Sequence, residues 1–194
     1  GLMSLLLLVD GHAYAYRAFH AIRSLTGPGG QPTNAVFGFV KMLGRMMAEL
    51  SPSHVAVVWD GGLSAERVQL LPEYKAQRPA MPDALASQID EIIEYLGAAQ
   101  IWSEQQDGVE ADDLIASLAR VTAEQGVRVV IASADKDFFQ LVSDSVGMLN
   151  PNDKSGRVWT GTDVVAKTGV TPGQIVDWLS LVGDTVDNVA GVAG

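Results

Sequence analysis

The sequence contains no cysteine among its 194 residues. Disulfide bonds and thiolate metal sites are therefore excluded, and this absence fits a reducing cytoplasm. Only three histidines are present (His12, His20 and His54), without the spacing of a metal site. No apolar run approaches the roughly 18 residues of a membrane span, and the first residues lack the basic start of a signal peptide. Any bound metal ion should accordingly be held by oxygen atoms.

Basic residues are also scarce, with 13 Lys and Arg against 23 Asp and Glu, for a net charge of −10. The deficit is uneven along the chain. Residues 11–78 hold seven Lys and Arg against four Asp and Glu, whereas residues 79–194 hold six against eighteen. This distribution predicts an anion-binding region beside a carboxylate-rich site, whose charge bound divalent cations would offset.

Three apolar segments are typical of buried strands, at 5–9, 54–59 and 127–132. They alternate with amphipathic helical patterns, which predicts one α/β domain with a twisted, largely parallel central sheet and helices on both faces. Each segment is followed closely by an acid: Asp10, Asp60 and Asp135. Ligands of such sheets bind at the carboxyl ends of the strands, so these acids should converge. A short edge hairpin is predicted around residues 153–156.

Further acids stand at helix starts and tight turns. Glu110, Asp112 and Asp113 open a helix, where like charges repel unless a cation lies between them. A solvated acidic helix start explains these three equally well, and Asp135 could merely cap the helix after it. The full set comprises Asp10, Asp60, Glu110, Asp112, Asp113, Asp135, Asp137, Asp184 and Asp187. Two divalent ions about 4 Å apart would hold such a set, and pairs of this kind catalyse in-line phosphoryl chemistry.

Residues 63–82 form the least globular stretch, because three prolines exclude one long helix. Arg67, Lys75 and Arg78 surround Tyr74, a mixture suited to binding phosphates and stacking a base. A solvated connector is the alternative.

Eight ordered blocks resemble the bacterial 5′ nuclease family. That family comprises the N-terminal 5′–3′ exonuclease domain of DNA polymerase I, its stand-alone relatives and, more distantly, the flap endonucleases. Among the matching motifs are Val9-Asp10-Gly11, Glu110-Ala111-Asp112-Asp113 and Ala134-Asp135-Lys136-Asp137. The blocks span residues 7–12, 15–21, 35–39, 57–60, 74–82, 110–113, 134–137 and 183–191.

The resemblance implies a role for each matched position. One Mg²⁺ ion, or Mn²⁺ in its place, would be surrounded by Asp10, Asp60, Glu110, Asp112 and Asp113, and a second by Asp135, Asp137, Asp184 and Asp187. Arg17, Lys75 and Arg78 would hold substrate phosphate near the metals, with Lys75 among the catalytic residues. Arg67 and Tyr74 join the expected DNA-binding residues.

The resemblance also implies an organisation. One nuclease domain would fill residues 1–194, with its core at 4–182 and an arch at 63–82 that closes around a single-stranded 5′ end. Residues 183–194 would begin a helix–hairpin–helix truncated at Gly194. We expect a chain ending there to bind DNA more weakly, and with more salt sensitivity, than one extended past it.

The expected reaction is Mg²⁺-dependent hydrolysis of DNA at 5′ ends or flaps, in replication and repair. We expect a monomer in the bacterial cytoplasm, associated with the nucleoid and with a fused or separate DNA polymerase. The alternatives are a PIN-type ribonuclease, a non-cleaving module that binds flap DNA, and an aspartate-nucleophile phosphatase built on Asp10. The phosphatase would need an Asp-x-Asp motif, and in this sequence His12 stands where the second aspartate of that motif would be.

Overall fold

The computed structural model describes residues 4–61 and 81–182. Its centre is a five-stranded sheet with the strand order β3-β2-β1-β4-β5. The strands are β1 (Leu5–Asp10), β2 (His54–Val58), β3 (Trp102–Glu104), β4 (Arg128–Ala132) and β5 (Val146–Leu149). Every neighbouring pair in this sheet is parallel. The carboxyl ends of all five strands therefore point toward one edge, which confirms the parallel architecture predicted from the sequence.

Helices cover both faces of the sheet. They are α1 (Gly11–Ala21), α2 (Asn34–Leu50), α3 (Asp83–Ala98), α4 (Ala111–Glu124), α5 (Gly161–Thr168) and α6 (Ile175–Val182), with 3₁₀ helices at Lys136–Leu141 and Pro172–Gln174. Helices α1, α2 and α3 pack on one face, and α4, the first 3₁₀ helix and the C-terminal helices pack on the other. Within the described ranges, no helix has the length and apolar character needed to cross a membrane.

The central strand shows why its sequence is apolar throughout. Leu7 and Val9 join the core on the α1 side, whereas Leu6 and Leu8 join the core on the α4 side. Successive side chains of a strand point to opposite faces, so a strand covered by helices on both faces needs apolar residues at every position.

The structure refines two local predictions. The predicted edge hairpin is present as one antiparallel bridge between Met148 and Trp159, and its first arm, β5, also pairs in parallel with β4. In α4, the helical spacing of Leu114, Ile115, Leu118 and Val121 predicts one buried face, but the Val121 side chain is 53% exposed and the small Ala119 is buried instead. The small alanine permits close packing of α4 on the sheet, which apolar periodicity does not reveal.

A buried amide network joins the three helices on the first face. The Gln88 carbonyl oxygen accepts hydrogen bonds from the backbone N–H groups of Ala35 (2.7 Å) and Val36 (3.1 Å), in the first turn of α2. The Gln88 amide donates to the side-chain oxygen of Asn34 at 2.9 Å. Asn34 in turn donates to the backbone oxygens of Phe19 and Ile22, at 2.9 and 2.8 Å. One network therefore satisfies the end of α1 and the start of α2.

Candidate active site

The carboxyl edge of the sheet gathers acids from separate parts of the chain. Asp10 is the last residue of β1, Asp60 follows β2, and Asp135 follows β4. The loop after β2 packs closely on the segment that precedes α4, because the Gly61 N–H donates to the Val109 oxygen at 3.1 Å. A Cβ atom on Gly61 would lie 1.8 Å from the backbone oxygen of Gln106, so only glycine permits this approach.

Asp10 is the most buried of these acids, with 8% of its surface exposed. One carboxylate oxygen accepts from the Ala13 N–H at 3.4 Å, and the other accepts from the Ser133 hydroxyl at 3.2 Å. Burial raises the pKa of Asp10 from 3.8 to about 6, and the charges of Asp135 and Asp60 add to the effect. Its two hydrogen bonds oppose that rise but do not cancel it.

Asp112, in the first turn of α4, lies against Asp135. Burial raises the pKa of Asp112 well above its usual range, and the charge of Asp135 and a hydrogen bond with its side chain raise it further. The charges of Asp10 and Glu110 contribute in the same direction. Burial and the adjacent carboxylate of Asp135 therefore both favour the protonated form of Asp112.

Two structural observations bear on the alternatives that the sequence left open. Glu110 is the residue preceding α4, and its side chain makes no capping hydrogen bond to that helix. Asp135 does cap the following 3₁₀ helix, since its carboxylate accepts from the Asp137 N–H at 2.9 Å. The same carboxylate is in electrostatic contact with Asp10 and Asp112, so capping and membership of the acid cluster coexist.

Five of the nine predicted acids thus belong to one set of carboxylates whose charges interact: Asp10, Asp60, Glu110, Asp112 and Asp135. We refer to these five as the acid cluster. Asp113 and Asp137 line a neighbouring groove of about 420 Å³ together with Asp112 and Arg120. Asp184 and Asp187 lie outside the described residues.

The donor chemistry of the acid cluster fits a hard divalent cation, because every member offers carboxylate oxygens. Within residues 4–61 and 81–182, however, no three His, Asp or Glu side chains are arranged so that they could hold a metal ion. Asp10 accepts a hydrogen bond from the Ser133 hydroxyl, Asp135 accepts one from the Asp137 N–H, and Asp112 is hydrogen-bonded to the Asp135 side chain. The two predicted ligand sets therefore stay predictions.

Of the predicted DNA-binding residues, the structure places Arg17. Its guanidinium donates to the side-chain oxygen of Asn152, which lies in the loop after β5. Tyr14 is buried beside it, and burial raises the pKa of the Tyr14 phenol, with the charges of Arg17 and Asp10 acting in opposite directions. Arg17 therefore lies on the side of the molecule that carries Asp10. Arg67, Tyr74, Lys75 and Arg78 lie outside the described residues, as do most of the predicted arch (63–82) and all of residues 183–194.

Sequence reasoning missed the supporting role of three residues at this edge, namely His12, Trp59 and Ser133. The Asp60 N–H donates to Nδ1 of His12 at 3.1 Å, and the His12 ring lies edge-on to Trp59, with ring centres 5.3 Å apart. Burial lowers the pKa of His12, and the charge of Asp60 opposes that change. Ser133 is the third residue. A histidine two residues after Asp10 and a serine two residues before Asp135 were visible, but nothing in their spacing indicated these contacts.

Comparison with known proteins agrees with this architecture. Residues 5–169 match the family model described as "5'-3' exonuclease, N-terminal resolvase-like domain". The 5'-3' exonuclease of Aquifex aeolicus is 43% identical over 193 residues, covering 99% of this chain and 66% of that protein. DNA polymerase I of Mycobacterium tuberculosis is 42% identical over 193 residues, covering 97% of this chain and 21% of the polymerase. The chain thus spans about two thirds and one fifth of these relatives.

A solved structure also shares the fold. The T5 5'-exonuclease with bound divalent metal ions (zinc) superimposes with a TM-score of 0.71 at 26% identity, covering 98% of this chain and 70% of that one. Because the family model matches most of the chain, the protein belongs to the family of 5'-3' exonuclease N-terminal, resolvase-like domains.

Proposed function

We propose that this domain hydrolyses phosphodiester bonds of DNA at 5′ ends or flaps, with divalent cations bound at the acid cluster. The observation that carries the proposal is that carboxylates at the ends of β1, β2 and β4 and at the start of α4 interact electrostatically at one edge of the sheet. Membership of the exonuclease family supports it, as does the zinc bound to the T5 5'-exonuclease.

Two groups of residues would hold the cations. Asp10, Asp60, Glu110, Asp112 and Asp113 form the first, and Asp135, Asp137, Asp184 and Asp187 form the second. When bound, Mg²⁺ or Mn²⁺ would lower the pKa of an attacking water and neutralise charge on the scissile phosphate. Burial is the main cause of the raised pKa values of Asp10 and Asp112, neighbouring carboxylates add to it, and a bound cation would lower both pKa values.

The protein's own part is to bind and orient the DNA. Arg17 projects from α1, whose first turn is capped by Asp10, so its guanidinium can bind a phosphate near the acid cluster. Asn152 holds that guanidinium from the loop after β5. Lys75 and Arg78 would hold further phosphates, and Arg67 and Tyr74 would contact the same single strand. The positive side chains of arginine and lysine bind phosphate oxygens. Such contacts position a nucleic acid without reading its sequence.

The proposal includes a cellular setting. The named relatives are a 5'-3' exonuclease and DNA polymerase I, which supports a role in DNA replication and repair in a bacterial cytoplasm. A fused or separate polymerase would be the partner, and a monomer is the expected state.

A cleavage assay with matched 5′-flap DNA and RNA tests the reaction. We expect Mg²⁺-dependent release of the DNA flap, no release in EDTA, and little cleavage of the RNA flap. Preference for RNA would favour a PIN-type ribonuclease. Binding of flap DNA without cleavage in Mg²⁺ or Mn²⁺ would instead favour a non-cleaving module.

A further inference from the structure

Ser133 is an uncharged residue at the centre of the carboxyl edge. It directly follows β4, and none of its surface is exposed. In the sheet, β1 pairs with β4 so that Val9 lies opposite Ala132. The next residues along these strands are Asp10 and Ser133, which places the serine hydroxyl beside the buried carboxylate.

Two hydrogen bonds fix the orientation of this hydroxyl. Its oxygen accepts from the Asp135 N–H at 3.1 Å, and its O–H donates to Oδ2 of Asp10 at 3.2 Å. The backbone of Ser133 is itself held, because its N–H donates to the Leu149 oxygen in β5 at 3.1 Å. Ser133 therefore connects an acid from the first predicted metal group to an acid from the second, although the two acids are far apart in the sequence.

The contact continues beyond Asp135. The carboxylate of Asp135 accepts from the Asp137 N–H at 2.9 Å, which begins the 3₁₀ helix. A single series of donors thus runs from Asp137 through Asp135 and Ser133 to Asp10. Outer hydrogen-bond partners of this kind orient the ligands of metal sites, and their loss commonly weakens metal binding.

We propose that Ser133 is a positioning residue for the metal site: it sets the rotamer of Asp10 and the turn that presents Asp135, so that both carboxylates face one cation-binding space. This inference rests on the proposed function, since it concerns the same acids. Without the hydroxyl, the Asp135 N–H and one oxygen of the buried Asp10 would each lose a partner, and the turn would relax. A buried polar group left without a partner is costly, so the local structure should shift to find a replacement.

Ser53, an exposed residue that directly precedes β2, offers a control because its hydroxyl is also hydrogen-bonded beside the central strand β1. Its hydroxyl accepts from the Leu5 N–H at 2.9 Å and donates to the Leu5 oxygen at 3.0 Å. Like Ser133, it makes two hydrogen bonds next to β1, but at the amino end of the strand, away from the acid cluster. Removing either hydroxyl should disturb the strand, whereas only removal of the Ser133 hydroxyl should disturb the acids.

The test compares Ser133→Ala, Ser133→Thr and Ser53→Ala with the unsubstituted chain. Mg²⁺ affinity is measured by calorimetric titration without DNA, and kcat and KM are measured on a 5′-flap DNA. We expect Ser133→Ala to weaken Mg²⁺ binding by about 10- to 100-fold and to lower kcat, with little change in KM for DNA. Ser133→Thr, which keeps the donor, should recover Mg²⁺ affinity to within about threefold, and Ser53→Ala should bind Mg²⁺ normally.

Two outcomes would overturn the inference while leaving the proposed function in place. One is Mg²⁺ affinity and turnover of Ser133→Ala within twofold of the unsubstituted chain. The other is an equal loss in Ser133→Ala and Ser133→Thr when thermal unfolding shows both to be folded. If Ser133→Ala does not fold, Ser133→Cys replaces it, and the same loss of Mg²⁺ affinity is expected because a thiol is a weak donor. If the unsubstituted chain neither binds Mg²⁺ nor cleaves DNA, the proposed function fails and the inference fails with it.

Discussion

The described part of the molecule buries four polar or charged residues, and they form two pairs: Asn34 with Gln88, and Asp10 with Ser133. In the first pair, every side-chain donor and acceptor of Gln88 has a partner. In the second, the hydrogen bonds of Asp10 do not offset its burial, and its pKa is raised. The first pair is satisfied by its own hydrogen bonds, whereas burial leaves the pKa of Asp10 raised in the second. The difference separates a satisfied structural network from the acidic pair that the proposed function assigns to a cation.

The largest effect expected concerns Asp112. Asp112→Asn replaces a buried carboxylate that lies beside Asp135 with an uncharged amide, so the substitution should relieve repulsion and leave the fold intact. The cation would lose a ligand, and we expect cleavage of a 5′ flap to fall at least about 100-fold, since a metal supplies several kcal/mol to such reactions. Asp135→Asn should behave alike.

Thermal unfolding measures whether the fold is intact in Asp112→Asn and Asp135→Asn, and a flap-cleavage assay measures their turnover. Asp90→Asn is the matched control, because Asp90 is an exposed acid on α3 that should affect neither. Near-normal turnover in either cluster variant would refute the assignment of the acids.

The largest loss of stability is expected from breaking the hydrogen-bonded pair of Asn34 and Gln88. Gln88→Ala would leave the N–H groups of Ala35 and Val36 and the Asn34 oxygen without their buried partner. We expect the free energy of unfolding to drop by roughly 3–5 kcal/mol, because each unsatisfied buried group costs about 1–3 kcal/mol. Urea unfolding measures the change, with the exposed Gln125→Ala as the control that should stay within about 0.5 kcal/mol. Equal stability of the two variants would show that the network is dispensable.

The pair that contains Asp10 predicts a pH dependence that the amide pair lacks. The pKa of Asp10 is about 6 in the folded chain and 3.8 in the unfolded one. Between these values the folded state binds more protons, so the free energy of unfolding should fall as the pH rises and level off above 6. The size is roughly 3 kcal/mol, from about 1.36 kcal/mol per pKa unit. Asp112, whose pKa is also raised, should extend the fall to higher pH.

Urea unfolding in EDTA at several pH values between 4 and 8 measures this dependence. Asp10→Asn should flatten the pH profile, whereas Gln88→Ala should lower stability by the same amount at every pH. A profile unchanged by Asp10→Asn would contradict the origin assigned to it.

The smallest effect should come from a charge pair on the surface. Arg45 and Glu49 form an exposed ion pair one turn apart on α2, with a separation of 3.1 Å. Arg45→Ala should change the free energy of unfolding by no more than about 0.5 kcal/mol, because solvent screens such pairs. If Arg45→Ala lowered the free energy of unfolding as much as Gln88→Ala does, solvent exposure would not explain why some polar contacts stabilise the fold more than others.

The sequence predicted the parts of the site that follow from strand ends. An apolar strand that runs into an acid places that acid at the carboxyl edge, which correctly brought together Asp10, Asp60 and Asp135. The same reasoning could not find Ser133 or Gln88, whose partners lie 123 and about 53 residues away in the chain. It found the antiparallel pairing of Met148 with Trp159 but not the parallel pairing of β5 with β4, because that pairing depends on the assembled sheet.

The amino-acid sequence by itself determined the chemistry available here: carboxylates without cysteine, apolar strands and a parallel sheet, because residue type and periodicity are local properties. Only the tertiary structure decided which acids are neighbours and which of them have raised pKa values. Burial and charge–charge distance set the pKa values of Asp10 and Asp112, and both quantities exist only when strands that are distant in sequence lie side by side.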